Sequence, residues 1–166
     1  MINQSRKKNI AAIDIGTNSF HLIVVEYSSS TGQFRTLARE KELVRLGSGS
    51  SDMKYLSENA MSRGIQTLRL FKKVAEAYRA PIRAIATSAV REALNQEEFI
   101  RRAKIEAGIK IEVASGFEEA RMIYLGVVQA LPVFSKKVLC IDIGGGSTEY
   151  VVGQKKKILS GNSIKL

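Results

Sequence analysis

The strongest constraint on this chain is a stretch that occurs twice. Ile13-Asp14-Ile15-Gly16-Thr17-Asn18-Ser19-Phe20-His21-Leu22-Ile23-Val24 aligns with the run from Ile141 to Val152. Ile13, Asp14, Ile15, Gly16, Ser19 and Val24 have identical partners in Ile141, Asp142, Ile143, Gly144, Ser147 and Val152. Each copy reads as an apolar strand, an acid, a glycine turn with hydroxyls, and a second apolar strand, which marks an internal repeat. In the later copy, Gly144-Gly145-Gly146 let the backbone approach a ligand closely because no Cβ intervenes. Their N–H groups can then turn inward as an anion-binding concavity. An acid just ahead of such a turn can hold a hydrated cation beside a phosphate. Two such loops face to face would grip a phosphate chain and its metal from both sides, so Asp14 and Asp142 form a candidate pair. Taken alone, either loop also reads as a tight hairpin with no ligand. The G-x-x-x-x-G-K-[ST] phosphate loop is absent. A dinucleotide fingerprint is excluded because Glu149 stands where its third glycine belongs and Tyr150-Val151-Val152 continues as a strand.

Bulk properties narrow the partners. At 166 residues with a formal charge of +10, one domain is the default, two small ones are compatible, and the field favours polyanions. The basic clusters are Arg6-Lys7-Lys8, Lys72-Lys73, Arg101-Arg102, Lys136-Lys137 and Lys155-Lys156-Lys157; each alone also reads as a solvated face. No aromatic residues interleave with them and tryptophan is absent, which disfavours nucleic acid. No apolar run is long enough for a membrane span, and Asp14 interrupts the only stretch resembling a signal peptide. A single cysteine, Cys140, excludes an internal disulfide framework and fits a reducing cytoplasm. It reads as a small buried hydrophobe on a strand.

Along the chain, residues 10–15 and 20–27 are the first two strands, and 34–44 a third that is polar enough for an edge. Gly47-Ser48-Gly49-Ser50-Ser51 is a loop, either plain surface or phosphate-touching. Ser57 is placed to cap a helix running to about Tyr78, with Leu56 and Met61 as a staple. Residues 82–86 form a strand after Pro81, and Thr87-Ser88-Ala89-Val90-Arg91-Glu92-Ala93 a turn with a short helix. Asn95 caps the next helix, Gly108 stops it, and residues 109–113 return as a strand. Ser115-Gly116-Phe117-Glu118 is a capping box opening a helix whose apolar face is Ala120, Ile123, Tyr124, Val127 and Leu131, ended by Pro132. Residues 138–143, 147–152 and a strand within 155–166 complete the order. The pattern β-β-β-α-β-α-β-α followed by β-β-β predicts an α/β fold. It comprises one ribonuclease H-like unit over residues 1–132 and the first strands of a second such unit over 133–166.

Four motifs in this order and spacing carry a family resemblance. They are Ala12 to His21, Thr87 to Ala93, Ser115-Gly116-Phe117-Glu118-Glu119-Ala120-Arg121, and Asp142 to Tyr150. The chain resembles the N-terminal part of the exopolyphosphatase/guanosine pentaphosphate phosphohydrolase (Ppx/GppA) family, in the actin-like ATPase fold group. The resemblance implies Mg2+-assisted hydrolysis of the terminal phosphoanhydride of inorganic polyphosphate or of guanosine pentaphosphate (pppGpp). By motif position, Glu119 looks like the acid that activates water and Arg91 like a clamp on the transferred phosphoryl group. Asp14, Asp142 and Glu149 look like holders of metal and water. Thr17, Asn18, Ser19, Gly144, Gly145, Gly146 and Ser147 look like phosphate donors. Glu118, at the third position of the capping box, takes the structural role.

Read without the family, Arg91 is equally well a surface ion pair with Glu92 or a neighbour, and Glu119 a helix N-terminal acid favoured by the macrodipole. His21, the only histidine, reads as packed or hydrogen-bonded rather than as a base. Family members continue well past residue 166. Three meander strands without their helices expose an apolar face and a sheet edge. The expectation is therefore a fragment, or a chain completed by a second copy or a partner. An inactive polyanion- or nucleotide-binding remnant is the alternative to an active phosphohydrolase.

Overall fold

The computed structural model describes residues 7–48 and 54–165. Arg6 of the first basic cluster and residues 49–51 of the glycine-serine loop lie outside the described residues.

Strands β1 (Lys7–Ile15), β2 (Ser19–Ser28) and β3 (Phe34–Leu43) form an antiparallel meander. Strand β4 (Ile82–Ala86) adds parallel to β1, and β5 (Ile111–Val113) parallel to β4. The sheet order is β3-β2-β1-β4-β5, with β3 at the edge as its polar sequence predicts. Alternation along the strands sends Ala11, Ile13, Ile15, Phe20, Leu22 and Val24 to one face. There they meet α1 (Glu58–Ala77), whose Met61, Ile65, Leu68, Phe71 and Ala75 are buried at helical spacing. The Ser57 hydroxyl accepts from Ala60 N at 3.3 Å and so caps this helix. The opposite face of the sheet carries Asp14 and His21, which are cross-strand partners.

Two local expectations are corrected here. Asn95 precedes α3 (Gln96–Arg102), but its side chain makes no cap. Its amide bonds both polar groups of Leu56 instead: Oδ1 accepts from Leu56 N and Nδ2 donates to Leu56 O, each at 2.9 Å. A side chain that satisfies a distant backbone pair cannot also reach its own helix. The strand expected from residue 109 begins at Ile111. The preceding helix runs on as a π-helical turn (Ala103–Ala107) before Gly108 stops it with φ 66°.

Helix α2 (Ser88–Arg91) follows β4 directly. Helix α4 (Gly116–Ala130) opens with the full capping box. Ser115 Oγ accepts from Glu118 N, and the Glu118 carboxylate accepts from Ser115 N. α4 lies on a second, antiparallel sheet of β6 (Lys137–Ile143), β7 (Ser147–Gln154) and β8 (Lys157–Lys165). Its buried residues are Ala120, Tyr124 and Val128. Leu131, expected on that face, is exposed, because the chain has already turned extended at this C-cap. Tyr124 fills the space over Gly153, where any side chain would collide with its ring, and its hydroxyl donates to Lys155 O at 3.1 Å. Cys140 is buried in this second core, as expected. The other face of the small sheet is bare: Leu139, Ile141 and Ile143 are exposed, Ile143 at 77 %.

Candidate active site

The two repeats fold alike. In each, the first glycine's N–H closes the turn on the serine carbonyl, Gly16 to Ser19 at 3.2 Å and Gly144 to Ser147 at 2.9 Å. A Cβ on Gly16 would come within 2.9 Å of that carbonyl. The loops then touch: a Cβ on Gly145 would lie 2.5 Å from the Asn18 amide nitrogen. Between them is a cleft of about 330 Å3 lined by both loops, Asp14, His21, Thr87, Ser88, Glu119 and Asp142. A larger groove of about 620 Å3 runs from the same carboxylates across the open face of the first sheet, under Met122 and Ile123.

Of the expected site residues, Asp14, Asp142, Glu119, Thr17, Asn18, Ser19, Gly144, Gly145 and Ser147 line this cleft. Gly146, Arg91 and Glu149 do not. Gly146 and Arg91, with Ser147, border a smaller recess beside Ser163 and Lys165. Glu149 sits beneath the cleft, 2 % exposed, paired across the strands with Asp142. Thr17 Oγ1 is 3.0 Å from Ser88 Oγ, so both buried hydroxyls are already partnered. Ser19 Oγ is 2.9 Å from His21 Nε2, which bears out the hydrogen-bonded reading of His21.

Arg91 turns toward Glu119. Its Nη1 donates to Glu119 Oε2 at 2.7 Å and to Ala114 O at 3.2 Å, and its Nε donates to Glu92 at 3.2 Å. The side chains of Arg91 and Glu119 are only 16 % and 14 % exposed. The pair is therefore sheltered, and its hydrogen bonds are charge-assisted. Burial works against the Arg91 charge, but the Glu119 and Glu92 carboxylates outweigh it and hold the guanidinium more firmly protonated than usual.

Electrostatics separates the adjacent acids. Burial pushes the Glu119 carboxyl up, and although Arg91 opposes this, Glu149 and Asp14 add to it. Glu118 goes the other way, lowered by its hydrogen bonds from Ser115. Asp14 is raised by desolvation, partly offset by His21, and raised again by Asp142. Because Asp14 keeps open surface toward the cleft, solvent moderates that push. The cleft thus gathers carboxylates that repel one another, an arrangement a cation relieves. Among the described residues no group of three or more metal-ligating side chains converges. Two carboxylates without a third fit Mg2+, which keeps several waters and binds through one or two carboxylates plus substrate phosphates.

Sequence reasoning passed over Thr87, Ser88 and Ser163. The first two stand inside a motif already singled out, directly ahead of Arg91. Ser163 carries no signal, since only the strand register brings it to Glu149.

Residues 22–166 match the model of the Ppx/GppA phosphatase family. The chain belongs to that family. It is similar to a crystal structure of an exopolyphosphatase from Cytophaga hutchinsonii, with 38 % identity, a TM-score of 0.90, and coverage of 96 % of this chain and 51 % of that one. It is also similar to the Ppx/GppA enzyme of Aquifex aeolicus, with 33 % identity, a TM-score of 0.84, and coverage of 95 % and 52 %. An exopolyphosphatase-like protein matches at 28 % identity with a TM-score of 0.88. The chain thus spans about half the length of these Ppx/GppA relatives. The mixed five-stranded sheet with its helices, followed by a second partial sheet, is the ribonuclease H-like architecture of the family. Among the described residues no helix is long and apolar enough to cross a membrane.

Proposed function

We propose that this chain forms the catalytic cleft of a Ppx/GppA phosphohydrolase that removes the terminal phosphate of inorganic polyphosphate or of pppGpp. The observation that carries this reading is the convergence of both glycine loops, Asp14, Asp142 and Glu119 on one cleft. Gly144, Gly145, Asn18, Ser19 and Ser147 receive the terminal phosphate, and Gly146 supports the turn. Asp14 and Asp142 would hold Mg2+, with Glu149 behind them as a further holder of metal or water. Mg2+ supplies charge neutralisation to the phosphate oxygens. Glu119 accepts a proton from water as its oxygen bonds to the terminal phosphorus, and the bond to the bridging oxygen breaks. The shortened chain leaves on that oxygen. A base with a raised pKa suits this task near neutral pH. Arg91 orients Glu119, and it reaches the phosphoryl group when phosphate oxygens compete for its guanidinium.

Residues 1–132 act as one ribonuclease H-like domain and 133–166 as the start of a second. The bare apolar face of β6 favours cover by further chain of a longer protein, by a second copy or by a partner. The lone buried thiol suits a cytoplasmic setting. A second reading, polyanion or nucleotide binding without turnover, rests on the formal charge of +10. Orthophosphate release from tripolyphosphate with Mg2+ separates the two. The proposal expects one orthophosphate per pyrophosphate formed. Binding without release leaves only the second reading.

A further inference from the structure

Asp142 on β6, Glu149 on β7 and Ser163 on β8 are successive cross-strand partners, so their side chains form one row on the face toward α4. Asp142 offers Glu149 only like charge. Ser163 offers a donor: its Oγ is 2.6 Å from Glu149 Oε1. The serine is itself held from two further sides. Its N–H donates to Asn162 Oδ1 at 2.9 Å. Its Cβ stands against Gly116, where an added Cβ would lie 2.5 Å away. Gly116 is the first residue of α4 and Glu119 follows one turn later. The charge of Glu149 is felt at Glu119. A buried carboxylate held by a fixed donor keeps one orientation, whereas without that donor it is free to turn.

We propose that Ser163 is a positioning residue of this site. Its hydroxyl aims the Glu149 carboxylate, and its contact with Gly116 sets the start of the helix that presents Glu119. This rests on the reading above, in which Glu149 serves metal or water. The role needs glycine at position 116 and a small hydroxyl at 163, two demands that neither glycine loop makes.

The test is the affinity of the chain for tripolyphosphate in Mg2+, measured by calorimetry for wild type, Ser163→Ala, Ser163→Thr, Glu149→Gln and the Ser163→Ala/Glu149→Gln double variant. Ser163→Ala is expected to weaken binding about tenfold, as loss of an outer-shell partner does. Ser163→Thr, which keeps the hydroxyl, recovers most of that loss. The double variant binds no more weakly than Glu149→Gln alone. Ser163→Cys fills the same space with a weak donor and replaces Ser163→Ala in the comparison if the alanine variant does not fold. Losses that add in the double variant, or unchanged binding in Ser163→Ala beside weakened binding in Glu149→Gln, would overturn the role of Ser163 alone. A wild-type chain that binds no Mg2+–tripolyphosphate would overturn the reading of the site and this proposal with it.

Discussion

Glu118 and Glu119 are chain neighbours driven in opposite directions, and the cause is one turn of helix geometry. The third position of the capping box turns Glu118 back to the Ser115 backbone in water. The next position turns Glu119 inward to Arg91. That division was legible in the sequence, because the box spacing assigns the first acid and leaves the second. Arg91 was legible as a partner of Glu92, which it is, although the pair is sheltered rather than at the surface; its grip on Glu119 depends on where β5 delivers the start of α4. Asp14 gives a stability prediction with a definite sign. Its folded pKa is raised, chiefly by desolvation, so its ionised form costs folded stability at neutral pH. That cost fades as pH falls toward the ordinary aspartate value near 3.8. Without divalent metal, Asp14→Asn is therefore expected to melt higher than wild type at pH 7. The advantage shrinks in acid, as thermal melts across that range will read.

At the scale of elements, the strand and helix identities followed from period and capping, and the chain order was readable. Sheet order was not. That β1 takes the centre between β2 and the distant β4 requires a parallel pairing that no local pattern encodes. Asn95 shows the same limit, since a side chain that looks like a cap is drawn 39 residues away to Leu56. α4 and β7 meet closely at Tyr124 and Gly153. Gly153 lies under Tyr124 with no room for a methyl group. Gly153→Ala should lower the stability of this region by about 1–3 kcal/mol through overpacking. Urea denaturation followed by tyrosine fluorescence will measure it, and an unchanged midpoint would mean that Tyr124 moves freely.

For the whole molecule, the two repeats matter because they belong to different sheets that meet at Gly145 and Asn18. The internal repeat foretold two loops; that they touch is a tertiary fact. Beyond the cleft, the row Leu139, Ile141 and Ile143 stays open to solvent on β6. An apolar stripe of this kind is expected to drive self-association. Light scattering should find species above monomer for wild type, and Ile141→Glu should shift them toward monomer. The cleft is tested by Mg2+-dependent phosphate release from tripolyphosphate by wild type and by Glu119→Gln. If Glu119 takes the proton from water, the substitution slows release about 100-fold or more while binding persists. Equal rates in the two proteins would contradict the account.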